Sequence, residues 1–115
     1  MDVFEAIKTR RSIRKYKPDA VEEEKLLRIL EAMRLAPSAA NKQPWHFIVV
    51  TEPEKKEKLR QAYNRDWFVS APVIIVACGN PRDGWVRADG EEYWKVDVAI
   101  ALQNLVMAAR AEGLG

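Results

Sequence analysis

The stretch near the carboxyl end of the chain constrains the fold most, because it has the pattern of a helix that is apolar on nearly every side. In the range Val98–Ala109 only Gln103 and Asn104 are polar. Such a helix must be covered all round, and a chain of 115 residues has few layers of its own with which to cover it. We therefore predict a long helix over residues 93–112, with Gly113 as its C-cap, that packs at a subunit interface or against polypeptide outside this chain.

The amino-terminal end of the chain predicts a short helix. Asp2 and Glu5 have the spacing of a capping box, in which each side chain accepts from the backbone of the other. Because Val3, Ala6 and Ile7 recur at helical spacing, we expect them to form the inner face of this helix.

Four more elements lie between these two helices. The hydrophobic pattern and the turn residues predict a helix over 22–36, a strand over 45–51, a helix that begins at Glu52-Pro53 and a strand over 73–78. The second helix is expected to bury Leu26, Ile29, Leu30 and Met33. The second strand is apolar without alternation, which is typical of a strand covered on both faces. The order of elements predicts an α/β (α+β) fold, with helices packed around a small central sheet in one domain over residues 1–115.

The charge and residue counts exclude several classes of protein. With 19 Lys and Arg against 17 Asp and Glu, the net charge of +2 is too small to indicate general binding to nucleic acid. One cysteine and one histidine rule out an internal disulfide framework and a Cys/His metal cluster. The chain has no G-x-G-x-x-G, Walker or G-x-S-x-G motif. No apolar run reaches the ~18 residues of a membrane span, and the first residues have no signal-peptide core, so we expect no membrane association and a cytoplasmic location.

Basic residues and a serine are concentrated directly after the first helix, in the sequence RRSIR. Guanidinium groups bind phosphate oxygens in a bidentate manner, and a hydroxyl adds a further donor. In an extended segment Arg10, Ser12 and Arg14 would lie on one side, with Arg11 and Ile13 on the other. That arrangement suits a compact dianion. The alternative is a helix C-terminus carrying basic side chains that the macrodipole favours.

The loop APSAANKQP, ahead of the first strand, is a second candidate for ligand binding. Ser38, Asn41 and Gln43 offer neutral donors and acceptors, while Ala39 and Ala40 leave room for a flat ligand beside the backbone. The alternative is a turn whose Ser and Asn side chains satisfy their own backbone.

Four carboxylates lie near the start of the long helix, where the helix dipole favours negative charge. They are Asp89, Glu91, Glu92 and Asp97. We assign them no catalytic role, and the chain shows no pairing of a nucleophile with a base.

Three motifs taken together resemble the FMN-dependent nitroreductase family. They are RRSIRKY, APSAANKQPWHFIVV and DVAIALQNLVMAARAEGLG, which occur in the order found in that family and span essentially the whole chain. The resemblance implies a nitroreductase-like fold in which the long apolar helix lies at the interface of a homodimer. Members of the family usually continue well past this point, so we expect the domain to be incomplete at its C-terminus.

The resemblance also implies a cofactor site shared between two subunits. The basic segment is expected to bind the FMN phosphate and ribityl chain and to reach the pyrimidine edge of the flavin, through Arg10, Arg11, Ser12 and Arg14. The PS-x-x-N loop is expected to lie against the isoalloxazine ring held by the other subunit. Its residues are Pro37, Ser38, Ala39, Asn41 and Gln43.

The chemistry that the resemblance implies belongs to the flavin and needs no catalytic side chain and no metal. Flavin N5 accepts a hydride from NADPH or NADH, and the reduced flavin passes electrons to a small-molecule acceptor, such as a nitroaromatic or a quinone, in a ping-pong cycle. Arg10 or Arg11 is expected to stabilise negative charge near N1 and the C2 carbonyl of the reduced flavin, and Arg14 to bind the phosphate.

Two other functions are compatible with these residues. The same fold serves other flavin chemistry, namely flavin destruction, reductive dehalogenation and azoline oxidation, and substrate-facing residues lie in variable loops. A non-enzymatic dimeric module that uses the Lys8–Lys17 cluster on nucleic acid is the third hypothesis, against which the balance of acidic and basic residues argues.

Overall fold

The computed structural model describes all of residues 1–115 and contains five α-helices and two β-strands. In chain order they are α1 (Val3–Thr9), α2 (Glu23–Arg34), β1 (Trp45–Val50), α3 (Pro53–Lys58), α4 (Asp66–Val69), β2 (Ile74–Gly79) and α5 (Trp94–Ala111). Single 3₁₀ turns occur at Ala39–Asn41, Leu59–Gln61 and Pro81–Asp83. The predicted order of elements is therefore confirmed, with α4 as a short addition that the sequence pattern did not indicate.

The two strands form an antiparallel sheet, in register from Trp45 opposite Gly79 to Val50 opposite Ile74. Helix α5 packs against both the sheet and α2. The main core lies between these three elements and centres on Met33, Ala36 and Ala101. A smaller cluster at the other end of the sheet contains Val50, Ala71 and Ile74, with Phe68 of α4 and Tyr16 packed against it. Helix α4 thus brings an aromatic side chain to the edge of a small core.

The buried face of α2 is the predicted one. Ile29 and Met33 are buried, and Leu26 and Leu30 are half-buried beside them. The capping box of α1 is also confirmed, since the Glu5 N–H donates to Asp2 Oδ1 at 2.9 Å and the Asp2 N–H donates to Glu5 Oε2 at 3.1 Å.

Two expectations about burial are wrong within this chain. Of the predicted inner face of α1 only Ala6 is buried, while Val3 and Ile7 are 61% and 57% exposed. The reason is that α1 packs mainly against α5, so that only the side of the helix that carries Ala6 is covered. Strand β2 is fully buried only at Ile74 and half-buried at its other five residues, so the rest of the chain covers its two faces only in part.

Helix α5 leaves part of its apolar surface uncovered by this chain. Only Asp97, Val98 and Ala101 of its 18 residues are buried, while Val96 and Ile100 are 46% and 37% exposed. The helix ends as predicted at a left-handed glycine, Gly113, in a Schellman arrangement of backbone hydrogen bonds. An apolar helix with this exposure agrees with packing against further polypeptide.

Even α5, the longest helix, does not combine the length and the apolarity that crossing a membrane requires.

Candidate functional site

The segment from Arg10 to Lys17 follows α1 and has no regular secondary structure. Arg10 is the C-cap residue, with φ −56° and ψ 136°, so the backbone straightens at once. The Arg11 guanidinium turns back and donates from Nη1 to the Lys8 carbonyl at 2.9 Å and to the Arg10 carbonyl at 2.7 Å. Arg11 therefore caps the C-terminus of α1, which is the structural alternative foreseen for this motif.

Arg10, Ser12 and Arg14 are not engaged in this way. Their side chains form no hydrogen bond and no ion pair within the chain, and Ser12 and Arg14 are exposed. Unpaired guanidinium groups on extended backbone are available to a ligand with phosphate oxygens. Of the three arginines in RRSIR, only Arg11 forms side-chain hydrogen bonds within the chain.

The predicted alternation of sides holds only for part of the segment. A groove with a volume of about 940 Å³ runs between this segment and the apolar surface of α2, β2 and α5. Arg10, Arg11, Ile13 and Lys15 line it, whereas Ser12 and Arg14 do not. Arg10 therefore shares the groove with Arg11, because the chain is still leaving the helix at that point and the two-residue repeat begins only after it.

The basic segment is fixed at the C-terminal end of α5. Arg110 Nε donates to the Thr9 hydroxyl at 2.9 Å, and Gly115 lies so close to Ile13 that an added Cβ would be 2.6 Å from Ile13 Cγ1. These contacts place the start of RRSIR beside the last turn of that helix.

A bidentate ion pair anchors the same end of α5 to α2. Arg28 Nε donates to Glu112 Oε1 at 2.5 Å and Arg28 Nη2 donates to Glu112 Oε2 at 2.9 Å. The hydrogen bond from Arg28 is the main reason that the pKa of Glu112 lies below its ordinary value. The pKa of Arg28 is raised by the same contact, so both groups stay charged at neutral pH.

The PS-x-x-N loop forms a compact turn ahead of β1. The Asn41 N–H donates to the Ser38 carbonyl at 2.9 Å, and the Gln43 N–H donates to Ser38 Oγ at 2.9 Å. Ser38 thus satisfies the backbone of its own loop, as the structural alternative for this loop proposed. Its hydroxyl remains able to donate, since the contact uses it as an acceptor.

Three residues of this loop have the left-handed backbone conformation that side chains disfavour. Ala40, Asn41 and Gln43 have φ of 52°, 53° and 50°. Each such residue typically costs about 1–3 kcal/mol, although asparagine adopts this conformation more readily than most. Backbone strain of this kind persists only where surrounding contacts hold it, and it is concentrated at sites that hold ligands.

One of those contacts comes from helix α5. The Ala39 N–H donates to Asp97 Oδ1 at 3.0 Å, and Asp97 is 1% exposed. The second carboxylate oxygen, Oδ2, has no hydrogen-bond partner. The loop is therefore fixed at the N-terminal end of α5, on the first turn, where the helix dipole favours a carboxylate.

The sequence patterns missed the role of Asp97. We expected it to be one of several carboxylates near the helix start, without a distinct function. The available signal was its spacing, because Asp97 precedes Ala101 by four residues and so lies on the face of α5 that enters the core.

The structure does not bring the two predicted motifs together within one chain. The basic segment lies beside Arg110 and the loop lies beside Asp97. These two residues are thirteen positions apart on one helix, which at 1.5 Å per residue corresponds to about 20 Å. The motifs therefore occupy opposite ends of α5.

The fold is an α+β domain with five helices packed around a two-stranded sheet, and comparison with known proteins specifies its family. The profile of the nitroreductase family matches residues 7–69, more than half of the chain. The chain belongs to the nitroreductase family.

Individual relatives agree with this assignment. A protein of Methanothermobacter thermautotrophicus, provisionally named NADH dehydrogenase/NAD(P)H nitroreductase, is 45% identical over all of this chain and 59% of its own length. A nitroreductase family protein of Clostridium difficile 630 superposes with a TM-score of 0.90 at 33% identity, covering 98% of this chain and 64% of that one. The FMN-dependent nitroreductase of C. difficile R20291 gives a TM-score of 0.84 at 37% identity, over 97% of this chain and 62% of that one. The chain thus spans about three fifths of the length of these relatives.

Proposed function

We propose that the protein is an FMN-dependent NAD(P)H oxidoreductase of the nitroreductase type, which acts as a homodimer with its flavin at the interface. One observation carries this proposal. The two motifs with ligand-binding character lie about 20 Å apart at opposite ends of α5. Two copies of α5 packed in antiparallel directions bring the basic segment of one copy beside the PS-x-x-N loop of the other.

The exposed apolar surface of α5 supports such a dimer. Val96 and Ile100 are solvent-exposed in the single chain, although the helix is apolar on nearly every side. Burial of apolar surface of this kind is the main driving force for association. The arrangement would complete two equivalent sites, as twofold symmetry requires.

The residues of the basic segment fit the phosphate end of FMN. Arg10 and Arg14 provide guanidinium groups without internal partners, and Ser12 provides a hydroxyl on exposed, extended backbone. In this proposal Arg14 and Ser12, which lie outside the groove, bind the phosphate, and Arg10, which lines the groove, lies toward the flavin ring. Arg11 contributes by capping α1 and joins the site only by exchanging the two carbonyl contacts for a ligand.

The residues of the loop fit the flat ring of the flavin. Ala39 and Ala40 have short side chains, so a planar ligand can lie close to the strained backbone. Pro37, Ser38, Ala39, Asn41 and Gln43 form this surface. Asn41 and Gln43 are exposed and carry amide groups able to donate and to accept at the edge of a heterocycle.

FMN, when bound, supplies the hydride and electron transfer between NADH or NADPH and a nitroaromatic or quinone acceptor. The task of this chain is to bind and orient it, and to place Arg10 where negative charge develops on the reduced ring. Turnover would be ping-pong, with electron donor and acceptor binding in turn, in a cytoplasmic enzyme. Support for FMN comes from the C. difficile R20291 relative, which is by name an FMN-dependent nitroreductase.

The visible absorption spectrum of the purified protein, read together with its intact mass, tests this function. We expect a yellow protein that contains FMN, that migrates as a dimer and that oxidises NADH or NADPH when a quinone or nitroaromatic acceptor is added. A colourless protein that fails to bind added FMN would reject the proposal. A flavin-containing dimer that oxidises neither nucleotide with any acceptor would instead favour the other flavin chemistries of this fold.

A further inference from the structure

Asp97 is the one fully buried charged residue of the chain, and no basic side chain pairs with it. It forms no ion pair, and its Oδ2 atom has no partner. A buried carboxylate with a single hydrogen bond is unfavourable compared with an apolar residue of similar size. It lines neither of the two cavities of the molecule, so a direct contact with a ligand does not explain it.

The single contact of Asp97 is to the backbone at the start of the strained turn. Its Oδ1 atom accepts from the Ala39 N–H at 3.0 Å, and the next two residues, Ala40 and Asn41, have left-handed φ. The other hydrogen bonds within residues 38–43 are internal, from the Asn41 and Gln43 amides to Ser38 and from the Lys42 amide to Ala39. Within these residues, the bond from Ala39 to Asp97 is therefore the one hydrogen bond to another element of the fold.

We propose that Asp97 is a positioning residue, which acts through the Ala39 amide to set the backbone of the loop against the flavin. This inference rests on the proposed function and adds a residue that contacts neither cofactor nor substrate. It also links the loop to α5, so that the helix proposed to form the dimer interface fixes one wall of the site. The carboxylate acts as a hydrogen-bond acceptor in this role, and its charge is not required.

Two substitutions of Asp97 distinguish its role as a hydrogen-bond acceptor from that of its negative charge. Asp97→Asn keeps a carbonyl oxygen for the Ala39 N–H, whereas Asp97→Ala removes it. We expect Asp97→Ala to weaken FMN binding by about tenfold or more and to change the visible circular dichroism of bound FMN, and Asp97→Asn to stay within about threefold of the parent protein. An Asp97→Ala variant with unaltered affinity and spectrum would overturn the inference, as would an Asp97→Asn variant as weak as Asp97→Ala.

Asn104→Ala is the matched control. Asn104 lies on the same helix and donates from Nδ2 to the Ala32 carbonyl at 3.0 Å, a part-buried contact to α2 and not to the loop. Its loss is expected to lower the melting temperature while the affinity and spectrum of FMN stay unchanged. An equal loss of FMN affinity in Asn104→Ala would show that Asp97 acts only through general stability.

A second variant tests the same hydrogen bond from the side of Ala39. If Asp97→Ala does not fold, Ala39→Pro removes the same hydrogen bond from the donor side. Proline suits this position, because Ala39 opens a helical turn and Ser38 before it is extended, with φ −141° and ψ 154°.

If the parent protein binds no FMN, the proposed function fails. Amide hydrogen exchange of the ligand-free protein then still tests whether the hydrogen bond from Ala39 to Asp97 holds the loop in place. Exchange at residues 39–41 is expected to accelerate by about tenfold or more in Asp97→Ala and not in Asn104→Ala. Equal exchange rates in the parent protein, Asp97→Ala and Asn104→Ala would show that Asp97 does not hold the loop in place, whatever the outcome for FMN.

Discussion

Gly79, the last residue of β2, lies directly under the indole of Trp94, the first residue of α5. A Cβ atom added to Gly79 would lie 2.2 Å from Trp94 Cε3 and 3.1 Å from Val98 Cγ2. The close approach fixes where α5 begins relative to the sheet. It thereby also fixes Asp97, three residues further along, against the loop that precedes β1.

Gly79→Ala is expected to destabilise the protein, because Trp94 would have to move away from the sheet. Overpacking of this kind costs about 1–3 kcal/mol in the free energy of unfolding, measurable by urea denaturation. Gly84→Ala serves as the control, since its Cβ would approach Trp94 Cβ to 3.0 Å and the Trp94 backbone only to 3.5 Å, and a smaller loss is expected. Equal stability of Gly79→Ala and the parent protein would show that the indole is free to move.

The ion pair between Arg28 and Glu112 is expected to make stability depend on pH. The hydrogen bond from Arg28 holds the pKa of Glu112 below its ordinary value of 4.5. A lowered carboxyl pKa means that the folded state binds the proton less readily than the unfolded state. The pair therefore stabilises the fold above about pH 4.5, and this contribution is lost as the pH falls through the folded pKa.

Arg28→Gln should accordingly lower the melting temperature at pH 7 by a small amount, on the order of 1–3 °C. The difference from the parent protein should shrink below pH 4.5 and vanish once Glu112 is protonated in both proteins. Thermal melts by circular dichroism across this range measure it. A difference that stays constant with pH would mean that Arg28 stabilises through packing of its aliphatic chain.

Arg14→Ala is expected to weaken FMN binding by about 2 kcal/mol, or about 30-fold, through loss of a charge-assisted contact to the phosphate. Arg34→Ala removes the same charge from the outer face of α2, where Arg34 pairs only with Glu31, and is expected to leave the affinity unchanged. Fluorescence titration of the apoprotein with FMN measures both. Matching affinities for the two variants would remove Arg14 from the proposed site.

Ile100→Glu is expected to convert the proposed dimer into monomers, because it places a charge on the exposed apolar face of α5. Val86→Glu introduces the same charge at a residue that is 51% exposed but lies outside that helix, and this variant should remain dimeric. Analytical ultracentrifugation distinguishes the two states. A dimeric Ile100→Glu variant would place the interface elsewhere.

Local patterns predicted the elements well and the contacts between elements less well. The capping box, the buried face of α2 and the glycine end of α5 depend on residues within a few positions of one another, so spacing is sufficient to predict them. The exposure of Val3 and Ile7 depends on how little of the chain covers α1, which periodicity does not encode. Helix α4 is a single turn and leaves no periodic pattern.

In the candidate site, too, the sequence predicted the local motifs better than the contacts that position them. RRSIR and the PS-x-x-N loop were identified from their residue types and order, and their assignment to FMN binding stays a prediction. The cap formed by Arg11 was one of the two alternatives that the sequence left open, whereas the left-handed φ of Gln43 is backbone geometry that its residue type does not favour. The hydrogen bond from Ala39 to Asp97 joins residues 58 positions apart, and no local pattern encodes such a contact.

The separation of the two motifs along α5 has a genetic consequence. If each flavin site takes its basic segment from one subunit and its loop from the other, a lesion in either motif damages both sites of a homodimer. In a mixed dimer of one Arg14→Ala subunit and one Asp97→Ala subunit, one site carries both lesions and the other carries neither. Two alleles that each impair FMN binding should therefore complement each other when expressed in the same cell and restore part of the activity.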